Sequence, residues 1–144
     1  EVIPLIYDDV DHNFLEGLAP VQKDDKWGYI DQTGKEVIPI SLIYDYVSHF
    51  SDGLAVVEKD DKYGYIDRTG KEVIPLIYDR ARSFSEGLAI VEKDYDNCYN
   101  NWGCIDRTGK EVIPLIYKDT KSFSEGLLAV EKDDKWGYVG KVEK

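Results

Sequence analysis

The sequence predicts an all-β fold of four tandem units of roughly 36 residues, each a three-stranded antiparallel meander. Three observations carry this reading. The word EVIP returns at Glu1, Glu36, Glu72 and Glu111, at spacings of 35, 36 and 39 residues. Between its copies lie runs rich in Val, Ile, Tyr and Trp, and no window holds a sustained helical period. Clusters of Asp, Gly and Lys separate the runs, as tight turns require. The units are placed at residues 9–44, 45–78, 79–117 and 118–144, the last taken together with 1–8.

Each unit opens on a run such as LAVVEK, Leu54 to Lys59. Leu54 and Val56 face one way and Ala55 and Val57 the other, so both faces are expected to be covered. Asp-Asp-Lys then forms a hairpin tip. The middle run sets an aromatic residue beside a glycine: Trp27, Tyr63, Trp102 or Trp136 before Gly28, Gly64, Gly103 or Gly137. A strand glycine in every copy predicts close approach of another backbone or a large side chain. The aromatics, Trp27 and Tyr63 foremost, are assigned to the core between units. A five-residue turn follows, in which Asp67 accepts from the backbone and Gly70 takes a positive φ. In the third run, EVIPLIY, Val73 and Ile77 oppose Ile74, Leu76 and Tyr78, so this strand too is expected to be covered on both faces. Its proline (Pro4, Pro39, Pro75, Pro114) lacks a donor and belongs at an edge or a bulge. The link to the next unit ends in FSEG or a close variant. Phe14, Phe50, Phe84 and Phe123 are expected to anchor it, with its glycine in the left-handed region.

The copies differ at few places. Ile40-Ser41 is inserted in the second EVIP segment, and the third tip is expanded to DYDNCYNN. Cys98 and Cys104 flank that tip, and their spacing suits a local disulfide, which would imply an oxidising compartment; two reduced thiols are the alternative. Tyr95, Tyr99 and Trp102, on or beside the same tip, are the candidate exposed binding residues.

The last unit has its first run, from Leu127, and its middle run, from Lys135, but no EVIP segment. The first eight residues are a third strand with no unit of their own. Val2, Ile3, Leu5, Ile6 and Tyr7 are therefore expected to pair beside Trp136, Tyr138 and Val142. Within one chain this closes a propeller-like ring, the favoured arrangement. Between chains it gives a head-to-tail, strand-complemented polymer. An open, solenoid-like stack is the remaining possibility.

The formal net charge is −11, and the Lys and Arg residues are scattered among acids. Nucleic acid is excluded as a partner, because it needs a concentrated basic surface. No run approaches 18 apolar residues, so membrane insertion as a helix is not expected. The chain holds no Met and no readable signal peptide, so a leader or initiator is expected to have been removed, by processing or by trimming. No cofactor or metal is expected: two Cys with distant His12 and His49 make no zinc site, and the paired tip acids lack calcium-loop spacing.

The stretches KWGYIDQTGKEVIP (Lys26 to Pro39), KYGYIDRTGKEVIP (Lys62 to Pro75) and NWGCIDRTGKEVIP (Asn101 to Pro114) resemble the bacterial WG, or KWG, repeat. KWGYVG from Lys135 matches it in part. The departures are Tyr63 for Trp, Cys104 for an aromatic, and the missing turn of the last copy. The resemblance implies a β-rich tandem repeat, commonly on secreted or surface proteins of bacteria, with no defined activity and no catalytic residue. The expected function is a non-enzymatic scaffold that binds protein or glycan. The second expectation is an extracellular filament subunit that binds itself head-to-tail. An enzyme would need a cleft mixing unlike copies, near Asp94 to Cys104.

Overall fold

The computed structural model describes residues 7–10, 14–94, 100–124 and 126–140. The chain divides into two compact units, Glu1–Leu76 and Ile77–Lys144. The described residues form strands and turns, with no helix.

In the first unit, β1 (Asp9–Val10), β2 (Ala19–Lys23), β3 (Lys26–Ile30) and β4 (Glu36–Leu42) form one antiparallel sheet in that order. A second follows as β5 (Tyr46–Val47), β6 (Leu54–Lys59), β7 (Lys62–Asp67) and β8 (Glu72–Tyr78), the last running over the unit boundary. In the second unit, β9 (Arg80–Ala81), β10 (Leu88–Glu92), β11 (Trp102–Asp106) and β12 (Glu111–Tyr117) form a third sheet. The fourth has three strands: β13 (Asp119–Ser124), β14 (Leu127–Lys132) and β15 (Lys135–Gly140).

The expected meander is present in the first three sheets, with one addition. The link before each first strand supplies a short outer strand, as where Tyr46 and Val47 pair with Glu58 and Val57. Two residues give no periodic signal, so only the fold-back of the chain reveals this strand. The fold-back is a two-residue turn in which the acid and the glycine both take positive φ, for example Asp52 at 55° and Gly53 at 79°. That is the geometry whose twist matches a hairpin. The Asp-Asp tips have the same geometry, with Asp60 at 52° and Asp61 at 64°.

Side-chain carboxylates hold the turns. Asp31 Oδ1 accepts from the Thr33 N–H at 2.9 Å, the Thr33 hydroxyl at 2.6 Å and the Lys35 N–H at 3.1 Å. Asp67 and Asp106 repeat this arrangement. The aspartate before each of β1, β5 and β9 reaches the following tip. Asp24, Asp60 and Asp94 donate their N–H to Asp8, Asp45 and Asp79 at 2.7, 2.9 and 2.8 Å.

Pro39 and Pro114 lie in bulges. From Trp27↔Leu42 to Tyr29↔Ile38, β3 advances two residues while β4 advances four. The same step separates Trp102↔Tyr117 from Cys104↔Ile113. The bulged backbone crosses over the strand glycine. A Cβ on Gly64 would meet Ile74 O at 2.6 Å, and one on Gly103 would meet Pro114 O at 2.5 Å. The close approach expected of these glycines is therefore to the neighbouring strand of their own sheet.

Among the described residues, each unit holds a core to which two sheets contribute. In the first, Leu18, Tyr29 and Ile38 pack with Val47, Phe50, Ala55, Val57 and Ile66. In the second, Ile90, Trp102, Cys104, Val112 and Ile113 pack with Leu128 and Val130. All four apolar residues of β6 are buried, so its faces are covered on both sides. The third strands differ from expectation. Val37, Val73, Ile77 and Ile116 are exposed on β4, β8 and β12, the outermost strands of their sheets, whereas Val112, in the place of Val37 and Val73, is buried. Phe50 and Phe84 are fully buried, while Phe14 and Phe123 are half-buried.

Candidate functional site

The fourth sheet ends on β15, which pairs with β14 from Leu127↔Gly140 to Lys132↔Lys135. Leu128 and Val130 of β14 face the core. The other side of β15 carries no strand among the described residues. In the three preceding sheets the corresponding middle strand is paired on both sides, with the bulged EVIP strand on its outer flank.

The consequences are local and large. Tyr29 and Tyr65 are 0% exposed, whereas Tyr138 in the same position is 74% exposed. Tyr29 shows what this position normally does. Its hydroxyl donates to Ser48 O at 2.6 Å, and its ring lies 4.7 Å from that of Phe50. Burial raises its phenol pKa far above the ordinary value. Trp102 is 9% exposed and Trp136 is 47% exposed. Around Gly137, no described atom lies within 4 Å of where a Cβ would stand. Leu127, also exposed, extends the apolar surface at the start of β14. The Lys121 ammonium lies 4.8 Å from the centre of the Trp136 ring. The site is thus a strand edge that pairs with no further strand among the described residues, with a glycine notch and two aromatic side chains. Such an edge can accept an extended chain through main-chain hydrogen bonds.

The other candidates fall out differently. Trp102, expected at the surface, is in the second unit's core, with the Arg82 guanidinium 5.2 Å from its ring centre. It pairs with Glu92 inside the sheet, so it belongs to β11 and not to the tip. Cys104 is a free, fully buried thiol, so the expected disulfide is absent at this residue. Its position between Ile90 and Ile113 places the sulfur in the core, where burial pushes its pKa up to about 12. Trp27 and Tyr63 are half-buried, with Trp27 packed against the first unit's core. Tyr7 is half-buried, and burial with the Glu36 charge raises its phenol pKa. Val2, Ile3, Leu5, Ile6, Tyr95, Cys98, Tyr99, His12 and Val142 lie outside the described residues.

Sequence reasoning marked Trp136 and Tyr138 but missed Lys121 and Leu127. Aligning the copies locates Lys121, because it occupies the link position of Arg82, the other cation over a middle-strand aromatic. Among the described residues, no group of three or more His, Cys, Asp or Glu side chains could hold a metal ion.

A family model described as WG containing repeat matches residues 1–27, 27–63, 63–96 and 102–136. No curated protein matches the chain.

Proposed function

As the chain belongs to the WG-containing repeat family, we propose that it is a non-enzymatic protein-interaction module that accepts an extended strand at the edge of β15. One observation carries this reading. The same tyrosine position is fully buried at Tyr29 and Tyr65 and largely exposed at Tyr138. The recurring carboxylates support it, because Asp31, Asp67, Asp106, Asp8, Asp45 and Asp79 all serve turns. An architecture in which the four sheets close in a propeller-like ring goes with this reading, since closure removes exposed edges.

A second reading uses the same edge between molecules. A strand from one copy added to β15 of the next makes a head-to-tail contact, and such contacts grow a filament when they do not close. Light scattering over a wide concentration range separates the two. A strict monomer ends the filament reading.

Hydrogen exchange of the β15 amides in the full chain tests the shared premise. An accepted strand slows the amides that point away from β14. Fast exchange of those amides at every concentration, unchanged by added EVIPLIYD peptide, overturns strand acceptance. Trp136 and Tyr138 would then stand as exposed aromatics suited to stacking on a sugar ring.

A further inference from the structure

The residue after the strand glycine is a tyrosine at Tyr29, Tyr65 and Tyr138, but the third copy has Cys104 there. In the first unit that ring has a defined seat. Tyr29 is 0% exposed, its ring lies 4.7 Å from that of Phe50, and its hydroxyl donates to Ser48 O at 2.6 Å. In the second unit Phe123 holds the place of Phe50. Phe50 is 1% exposed, whereas Phe123 is half-buried. A thiol fills far less space than a phenol ring, and protein interiors leave few voids larger than a water molecule. Here the lost volume stays open. A pocket of about 200 Å³ lies in the second unit, with Leu88, Ile90 and Phe123 on its apolar side. Ile90 is directly opposite Cys104 in the β10–β11 pair. Ser83, Ser122 and Arg82 line the other side, and all three are exposed, so the pocket has a polar mouth.

We propose that this pocket binds a hydroxylated aromatic ring, the group that Cys104 takes away from the repeat. The size fits, since a cavity of about 150 Å³ lined by Leu, Ile and Phe side chains holds a benzene ring. The lining fits as well, because small-molecule sites pair an apolar floor with a few polar groups that fix orientation. The ring lies against Ile90 and Phe123, as the ring of Tyr29 lies against Phe50. The hydroxyl turns to the mouth, where Ser83 or Ser122 accepts its proton and Arg82 donates to its oxygen. A bound phenol thus does from outside what Tyr29 does within its own chain. A free small phenol and a tyrosine side chain of another protein both present this group.

Para-cresol, the tyrosine side chain without its backbone, tests this by NMR titration of the full chain. Saturable shifts are expected at Leu88, Ile90 and Phe123, with a Kd on the order of 1 mM for so small a ligand. Tyr29 and Phe50, whose seat is filled, are expected to stay unmoved. Toluene lacks the hydroxyl and is expected to bind about threefold more weakly or worse. Cys104→Tyr fills the pocket from inside, and Ser122→Trp covers its mouth; each is expected to weaken binding by about tenfold or more. Ser122 is exposed, so its variant reads the site even where Cys104→Tyr fails to fold. Displacement of para-cresol by N-acetyl-tyrosinamide makes a partner's tyrosine the source of the ring, and failure to displace it makes a free phenol the source. No saturable shift at those three residues, equal affinity for toluene, or indifference to Ser122→Trp overturns the site.

Discussion

The carboxylate of Glu16 accepts the backbone N–H of Asp52 at 2.7 Å, joining the turn of one repeat to the corresponding turn of the next. The Gly53 N–H donates to the other carboxylate oxygen at 3.1 Å, and Arg68 Nη1 donates to Glu16 O at 3.0 Å. One acidic side chain thus satisfies two amides of a hairpin turn 36 residues later. Glu16→Ala is expected to destabilise the first unit by about 1 kcal/mol, the net worth of such bonds near the surface. Urea unfolding followed by Trp27 fluorescence measures it; an unchanged midpoint would count against the clamp.

Glu92 is fully buried, and its Oε1 accepts from Arg80 Nη1 at 2.7 Å. Among the described residues, its other oxygen has no hydrogen-bond partner. Removing the cation leaves a buried carboxylate without its compensating charge. Arg80→Ala is expected to cost about 2–3 kcal/mol, less than a fully buried pair would because the arginine is itself largely exposed. Replacing both residues with apolar ones should recover much of that loss, which a double-mutant cycle would read.

Gly64→Ala introduces a Cβ 2.6 Å from Ile74 O, and backbone cannot move away as a flexible side chain can. A loss of about 2–3 kcal/mol is expected, at the upper end for overpacking. Gly103→Ala should behave alike, since its Cβ meets two carbonyl oxygens at 2.5 Å. Thermal unfolding of both variants provides the check.

Asp31 and Asp67 have carboxyl pKa values held below the ordinary 3.8, first by the hydroxyls of Thr33 and Thr69 and then by backbone N–H donors. A depressed folded-state pKa favours the folded state fully above the unfolded value. That contribution is lost as pH falls through the lower folded value. Thr69→Val is expected to raise the Asp67 pKa toward 3.8 and leave Asp31 unchanged. Carboxyl NMR titration of the two aspartates reads this directly; a shift of both together would contradict local control.

Cys104 is expected to resist thiol reagents at pH 8 until the second unit opens. It is fully buried, and its pKa near 12 leaves almost no thiolate. Labelling followed by peptide mapping, with and without denaturant, tests it. Rapid modification in native buffer would place the thiol at the surface.

Much of the fold was legible because its signals are local and repeated four times. LAVVEK, the middle run and EVIPLIY become β6, β7 and β8. Gly70 takes its positive φ of 87°, and Asp67 accepts from the turn it closes. Errors arose where a residue's place depends on what lies across the sheet. Trp102 sits beside an irregular tip in sequence, yet its strand carries it into the core. Cys104 replaces an aromatic next to the strand glycine, and that position points inward in every filled sheet, so proximity to Cys98 along the chain was misleading. Val73 and Ile77 look like a second buried face but are exposed, whereas Val112 in the place of Val73 is buried, a difference that identical EVIPLIY words cannot show.

By itself the sequence determined the repeat, its strands and its turns, because hairpin geometry and strand propensity are set within a few residues. It also showed that residues 1–7 repeat the words of β8 and β12. Tertiary structure alone decided that β15 pairs with β14 on one side and with no further strand among the described residues. Whether Tyr138 is core or surface depends on the strand beside it, and whether Gly137 is a relic or a notch depends on a backbone crossing that only Gly28, Gly64 and Gly103 display. Burial is a property of neighbours, and neighbours across a sheet are not written in the order of the chain.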